Sequence, residues 1–137
     1  MRGLIIAFFC LTPLAVLAEA SQRYAATLTQ VVDAVTYVLD VHMDGGIQRI
    51  RLSLDGVEGP KLYGSRCERE AALFAKDLAR SILRPQENLI ISDLHREDSQ
   101  FVGHVEFYGR NLGHVLLNFK QVRPRGKSGN WCNSLVG

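Results

Sequence analysis

A small α+β protein built around a closed β-barrel is the fold predicted from this sequence. Three features point to it. Three strand-like segments run between Thr27 and Leu54, one capped helical stretch starts near Ser65, and two more strand-like segments precede a polar, turn-rich tail. The chain has 137 residues, enough for one packed core once a leader is set aside, but not for two domains. Its formal net charge of +2 gives no global attraction to nucleic acid or to a membrane surface.

Residues 1–20 read as a secretory signal. Arg2 supplies the positive start, Leu4 to Leu17 form an apolar run broken by Thr12 and Pro13, and Ala18-Glu19-Ala20 offers small residues at the cleavage positions. The run is shorter than the roughly 20 apolar residues of a membrane span. The expected product is a domain of residues 21–137, periplasmic or secreted, with no membrane span after signal cleavage. Cys10 leaves with the leader, so Cys67 and Cys132 remain. Two cysteines in an oxidising compartment predict a Cys67–Cys132 disulfide. Closing a loop of about 65 residues is worth roughly 4 kcal/mol on the chain-entropy account. Their separation excludes a Cys-x-x-Cys redox or metal motif.

Thr27 to Val32 is β-rich, and Thr36 to Met43 has the β-branched and aromatic enrichment of a strand. Asp44-Gly45-Gly46 signals a hairpin. Ile47 to Leu54 then alternates, Ile50, Leu52 and Leu54 on one face and Arg49, Arg51 and Ser53 on the other. These segments predict a three-stranded meander. Asp55 to Gly64 is a Gly/Pro-rich loop, and Ser65 to Glu68 matches a capping box. Ala71, Leu73, Phe74, Leu78 and Ile82 follow at helical spacing up to Arg84-Pro85. Asn88 to Asp93 and Phe101 to Phe107 are the fourth and fifth strands, and Asn111 to Phe119 suits a short C-terminal helix. Three strands, a helix and two strands is the order of a five-stranded Greek-key barrel of the OB-fold type.

Five segments, in order, carry a family resemblance. Val31-Val32-Asp33-Ala34-Val35-Thr36 is similar to a turn of the form Val-Asp-Gly-Asp-Thr, and RLSLDGVEGPKL (residues 51–62) to RVRLDGVDTPEL. Gly64 to Glu70 is similar to a Gly-x-x-Cys-x-x-Glu helix start, Gly109-Arg110-Asn111-Leu112-Gly113 to Gly-Arg-Asp-Leu-Gly, and Trp131-Cys132 to a terminal Trp-Cys. Through them the stretch from Val31 to Cys132 resembles the staphylococcal-nuclease-like (thermonuclease) family, secreted members included, which is built on this barrel.

The resemblance implies a phosphodiesterase site in which carboxylates hold Ca²⁺, two arginines stabilise phosphate charge and a glutamate activates water. A hard cation takes about 6–8 oxygen ligands and draws affinity from their charge, while arginine matches phosphate oxygens in pairs. Aligned without gaps, this chain departs from that set everywhere. Val35 stands at the turn's metal-binding aspartate and Glu58 at the loop's. Ser53 and Gln100 stand at the two arginines, and Lys61 at the water-activating glutamate. The expected reading is a catalytically degenerate member, a binding or assembly module with a protein partner in the cell envelope and no cofactor. Its possible ligand face is Arg49, Arg51 and Ser53. A register shifted by one residue gives the alternative, a divalent-metal-dependent nuclease using Arg51, Asp55 and Glu58 with Ca²⁺.

Other candidates have plainer readings. His42, His95, His104 and His114 lack ligand spacing on a shared helix, with His95 expected in a loop beside Asp93 and Glu97. Ser53 lacks a nucleophile-elbow sequence. The tail residues Lys120, Arg123, Arg125 and Lys127 read as a solvated basic strip with Trp131 over the disulfide. The competing use is phosphate neutralisation and base stacking, so nucleic acid is a possible but not favoured partner.

Overall fold

The structure, a computed structural model, describes residues 22–84, 88–127 and 129–132. The predicted leader and Pro85 lie outside the described residues.

Strands β1 (Arg23–Asp33), β2 (Thr36–Met43) and β3 (Gly46–Leu54) form the expected antiparallel meander. The alternation read from β3 holds: Ile50, Leu52 and Leu54 are buried, Arg49 and Arg51 exposed and Ser53 half-buried. The loop after β3 carries a two-residue strand, β4 (Val57–Glu58), then helix α1 (Arg66–Ile82). Strand β5 (Asn88–Glu97) pairs antiparallel with β1 and with β6 (Gln100–Phe107). Parallel pairing of Leu52–Leu54 in β3 with Phe101–Gly103 in β6 closes the circuit β1–β2–β3–β6–β5. The result is a five-stranded α+β barrel of the OB-fold type with a main helix and a short second one. β7 (Arg110–Asn111) extends the edge of β6, α2 (Leu112–Asn118) follows, and β8 (Arg123–Pro124) returns to pair with β4. Among the described residues no helix is long and apolar enough to cross a membrane.

The helix buries a different stripe from the one its large apolar residues suggest. Ala72, Ala75 and Ala79 are buried, whereas Leu73 and Phe74 are 47% and 61% exposed. At about 100° per residue, positions 72, 75 and 79 share one face, and 73 and 74 rotate off it. Alanines let α1 lie close against β1, and Leu83 seals its end at 1% exposure. The capping box forms only by half. Ser65 Oγ accepts from the Glu68 amide at 3.4 Å, but the Glu68 carboxylate reaches back to the Lys61 amide at 3.0 Å. Glu68 thus ties the preceding loop to the helix start. The second helix is capped by Asn111, whose Oδ1 accepts from the His114 amide at 3.2 Å, and its Leu112 and Leu116 join the barrel core.

Strand β5 runs past the predicted Asp93 to Glu97. Its register against β6 slips between Ser92 and His95, with Asp93 at φ 52°. One inserted residue reverses the inside–outside parity of everything after it. Leu89 and Ile91 face the core before the bulge, Leu94 packs on the core after it, and His95 and Glu97 turn outward. Gly103 sits opposite the bulge. A Cβ there would meet the Ser92 carbonyl oxygen at 3.1 Å and Leu94 Cα at 3.4 Å, both backbone atoms. Gly103→Ala is therefore expected to destabilise the fold by about 1–3 kcal/mol through overpacking, read as a lower urea midpoint with an unchanged slope.

Candidate functional site

A cleft of about 900 Å³ lies beside the β3–β6 closure. Its walls are the turn between β1 and β2, the outer face of β3, the loop from Val57 to Tyr63, and the turn between β5 and β6. Val35, Ser53, Glu58, Lys61 and Gln100 all line this one space. Five positions picked from separated sequence segments thus share a single site.

The turn carrying Val35 is held from three sides. Asp33 Oδ1 accepts from the Val35 amide at 2.9 Å, and the Val35 carbonyl accepts from the Leu54 amide at 2.8 Å. The buried Tyr37 hydroxyl donates to the Ala34 carbonyl at 2.5 Å. Burial, and secondarily Asp33, pushes that phenol well above its usual range. Side chain 35 therefore has a fixed position, and there the chain has an isopropyl group. Val35 packs on the core, and a Cβ on Gly59 would touch its Cγ1 at 3.4 Å. No lone pair faces the cleft from that side chain.

Of the carboxylates lining the cleft, Asp33 holds the Val35 amide, while Glu58 and Glu97 are engaged by the tail. Arg123 Nε donates to Glu58 Oε1 at 2.6 Å, with side-chain exposures of 26% and 31%. Its guanidinium also donates to the Gly129 carbonyl at 2.8 Å and lies 4.2 Å from the Trp131 ring centroid. Backbone pairing of Glu58 with Arg123, and of the Arg125 amide with the Gly56 carbonyl at 3.0 Å, fixes the tail along the cleft rim. Cys67 and Cys132 form the predicted disulfide, Cα atoms 5.5 Å apart, and anchor that tail to the start of α1. The solvated-strip reading is thus corrected for Arg123 and Arg125: the first is half-buried and both hold carboxylates. Trp131 stacks on Arg123.

Of the alternative trio, two residues line the cleft and Asp55 is not among its lining residues. Arg51 and Glu58 line it. Asp55 instead lies 4.0 Å from Arg125 Nη1 and groups with His95 and Glu97. The proposed ligand face is likewise divided. Ser53 and Arg51 line the cleft, whereas Arg49 forks onto Asp40 at 2.8 and 3.0 Å, outside it. Arg51 and Lys61 are left without a carboxylate partner among the described residues, beside Tyr63, which is 84% exposed.

His95 lies in β5, not in the expected loop. Its Nδ1 is 2.6 Å from the Asp93 carbonyl and its Nε2 3.0 Å from Glu97 Oε1. The backbone carbonyl first, and Glu97 second, raise its pKa, while His95 and then Arg125 lower that of Glu97. Among the described residues, Asp55, His95 and Glu97 are the one group of three whose ligand atoms lie mutually within 4.8 Å. Sequence reading placed His95 beside Glu97. It did not join to them Asp55, read as part of the alternative site, or Arg125, read as part of the basic strip, which the barrel closure and the tail's return bring in from far along the chain. No protein-family model matches this chain, and no curated protein matches it.

Two outcomes follow. Arg123→Ala is expected to lower stability by about 1–3 kcal/mol, as a partly buried, charge-assisted contact is lost. It should also shift the emission of Trp131, the single tryptophan, which a fluorescence-monitored urea titration reads directly. His95 should titrate above the usual value of about 6.5 in an NMR pH series, and Glu97→Gln should bring it down. Because its folded pKa is raised, its contribution is complete below the unfolded value and fades as pH rises through the folded one. The lowered Glu97 contributes above the unfolded glutamate pKa and is lost on acidification, so the pair stabilises between the two.

Proposed function

We propose that this chain is a catalytically inactive, thermonuclease-like binding module of the periplasm or the secreted space, engaging a protein partner in the cell envelope through its cleft. The observation that carries this reading is the Arg123–Glu58 pair. The one carboxylate kept at an aligned metal-ligand position is neutralised by a cation from the protein's own tail. Val35 supplies no oxygen donor, Lys61 reverses the charge needed to activate water, and Ser53 and Gln100 lack the arginine fork. Removing one preorganised charge-stabilising group typically costs about 10²–10³ in rate, and this site lacks several. What the cleft retains suits recognition. Among the described residues Arg51 and Lys61 have no carboxylate partner, and Tyr63 presents an exposed aromatic face. Aromatic and arginine side chains are the groups that most often anchor protein interfaces. Arg123 and Arg125 are committed to carboxylates, which weighs against the tail as a phosphate-binding strip.

The disulfide-bonded protein, incubated with single-stranded DNA or RNA and Ca²⁺ or Mg²⁺, is expected to give no chelator-sensitive cleavage above a protein-free control. Cleavage that a chelator stops and Glu58→Gln abolishes would overturn this reading in favour of the metal-dependent nuclease. A photo-crosslinking residue at Tyr63 is expected to capture an envelope protein that the same residue at Ile47, exposed on the β2–β3 hairpin, does not.

A further inference from the structure

We propose that Asp55, His95 and Glu97 form a binding site for a borderline divalent ion of the Zn²⁺ class, and that Arg125 is a tethered cation competing for the same carboxylates. The site uses none of the aligned nuclease positions, although Glu97 and Arg125 line the same cleft.

The histidine geometry is the first reason. A carbonyl oxygen only accepts, so the 2.6 Å contact to Asp93 requires the ring proton on Nδ1. In the neutral ring, Nε2 is then a lone pair aimed at Glu97 Oε1 3.0 Å away. Protonated, the ring donates Nε2–H to that oxygen; neutral, it presents a lone pair there, so a metal ion can take the place of the shared proton. An imidazole whose Nδ1–H is held by a carbonyl while Nε2 points into a carboxylate group has the arrangement of a metal-ligating histidine with its outer partner in place.

Placement is the second reason. Asp55 comes from the turn after β3, and His95 and Glu97 from the end of β5. The Asp55 amide donates to the Gly103 carbonyl at 2.9 Å, fixing that turn across the barrel seam, and the bulge at Asp93 turns His95 and Glu97 outward to meet it. The three donor atoms lie within 4.8 Å of one another. A tetrahedral ion with bonds of about 2.0–2.2 Å needs donors roughly 3.3 Å apart, so side-chain adjustment suffices. One imidazole and two carboxylates suit zinc, with an open fourth position. Ca²⁺, which takes about 6–8 oxygens, is poorly served by this set.

The third reason is Arg125. Its Nη1 lies 3.1 Å from Glu97 Oε2 and 4.0 Å from Asp55 Oδ1. The group thus already draws a positive charge. An incoming ion takes over both carboxylates, and the guanidinium gives way.

Calorimetric titration of ZnCl₂ into the purified, disulfide-bonded protein tests this. One saturable site per chain is expected, with His95→Ala and Glu97→Gln each weakening it at least about tenfold. Arg125→Gln should tighten binding several-fold, and His42→Ala, at an exposed position near the end of β2, should leave it unchanged. Circular dichroism confirms that each variant is folded. Absence of a saturable site, or zinc binding that survives His95→Ala, would overturn the site. An affinity unchanged or weakened in Arg125→Gln would overturn the competition.

Discussion

Three residue pairs hold the barrel shut. Leu52, Ser53 and Leu54 of β3 meet Phe101, Val102 and Gly103 of β6 in parallel, the one pairing of the circuit that joins strands running in the same direction. Parallel ladders are somewhat less stable per residue than antiparallel ones, and this one is short. Its support comes from behind, where Leu52 and Leu54 are buried in the common core, and from the Asp55 amide bonded to Gly103. Both functional features depend on this seam. The cleft exists because Ser53 and Gln100 are brought to its two sides, and the Asp55–His95–Glu97 group exists because the β3 turn reaches the end of β5.

The tail then decides the electrostatics of the rim. In a site built for a hard divalent ion, carboxylates that would repel one another converge and the ion offsets that repulsion. Here the offsetting charges are covalently part of the chain. Arg123 neutralises Glu58, and Arg125 spans Glu97 and Asp55. Two guanidiniums, one on the short return strand and one in the turn after it, do for these acids what a soluble cation does elsewhere, at fixed stoichiometry.

How much of this was legible depended on the range of the signal. Period-two alternation in β3, the Asp44-Gly45 turn and the serine cap are local, and each can be read from a few neighbouring residues. The shared cleft was legible only through motif alignment, since Val35, Ser53 and Gln100 carry no individual mark. Three features escaped. The α1 stripe was misread because hydrophobic size and burial diverge when a helix packs closely through alanine. The parity flip at Asp93 was hidden because one inserted residue leaves composition unchanged while reversing every side chain after it. The Arg123–Glu58 contact spans 65 positions, and nothing local to either residue names its partner.

The disulfide and the Arg123–Glu58 pair are best understood together. Exposed ion pairs contribute little, partly because ordering two long side chains costs entropy. Cys132 is bonded to Cys67, so the chain end beyond Arg123 is already returned to the start of α1. The β4–β8 pairing then sets the backbone of residue 123 opposite residue 58. With Trp131 against one face of the guanidinium and the Gly129 carbonyl accepting from its edge, most of the freedom Arg123 would lose on pairing is removed beforehand. Covalent closure of the tail thus lowers the entropy cost of holding Arg123 on Glu58, a contact that would be weak between two free side chains.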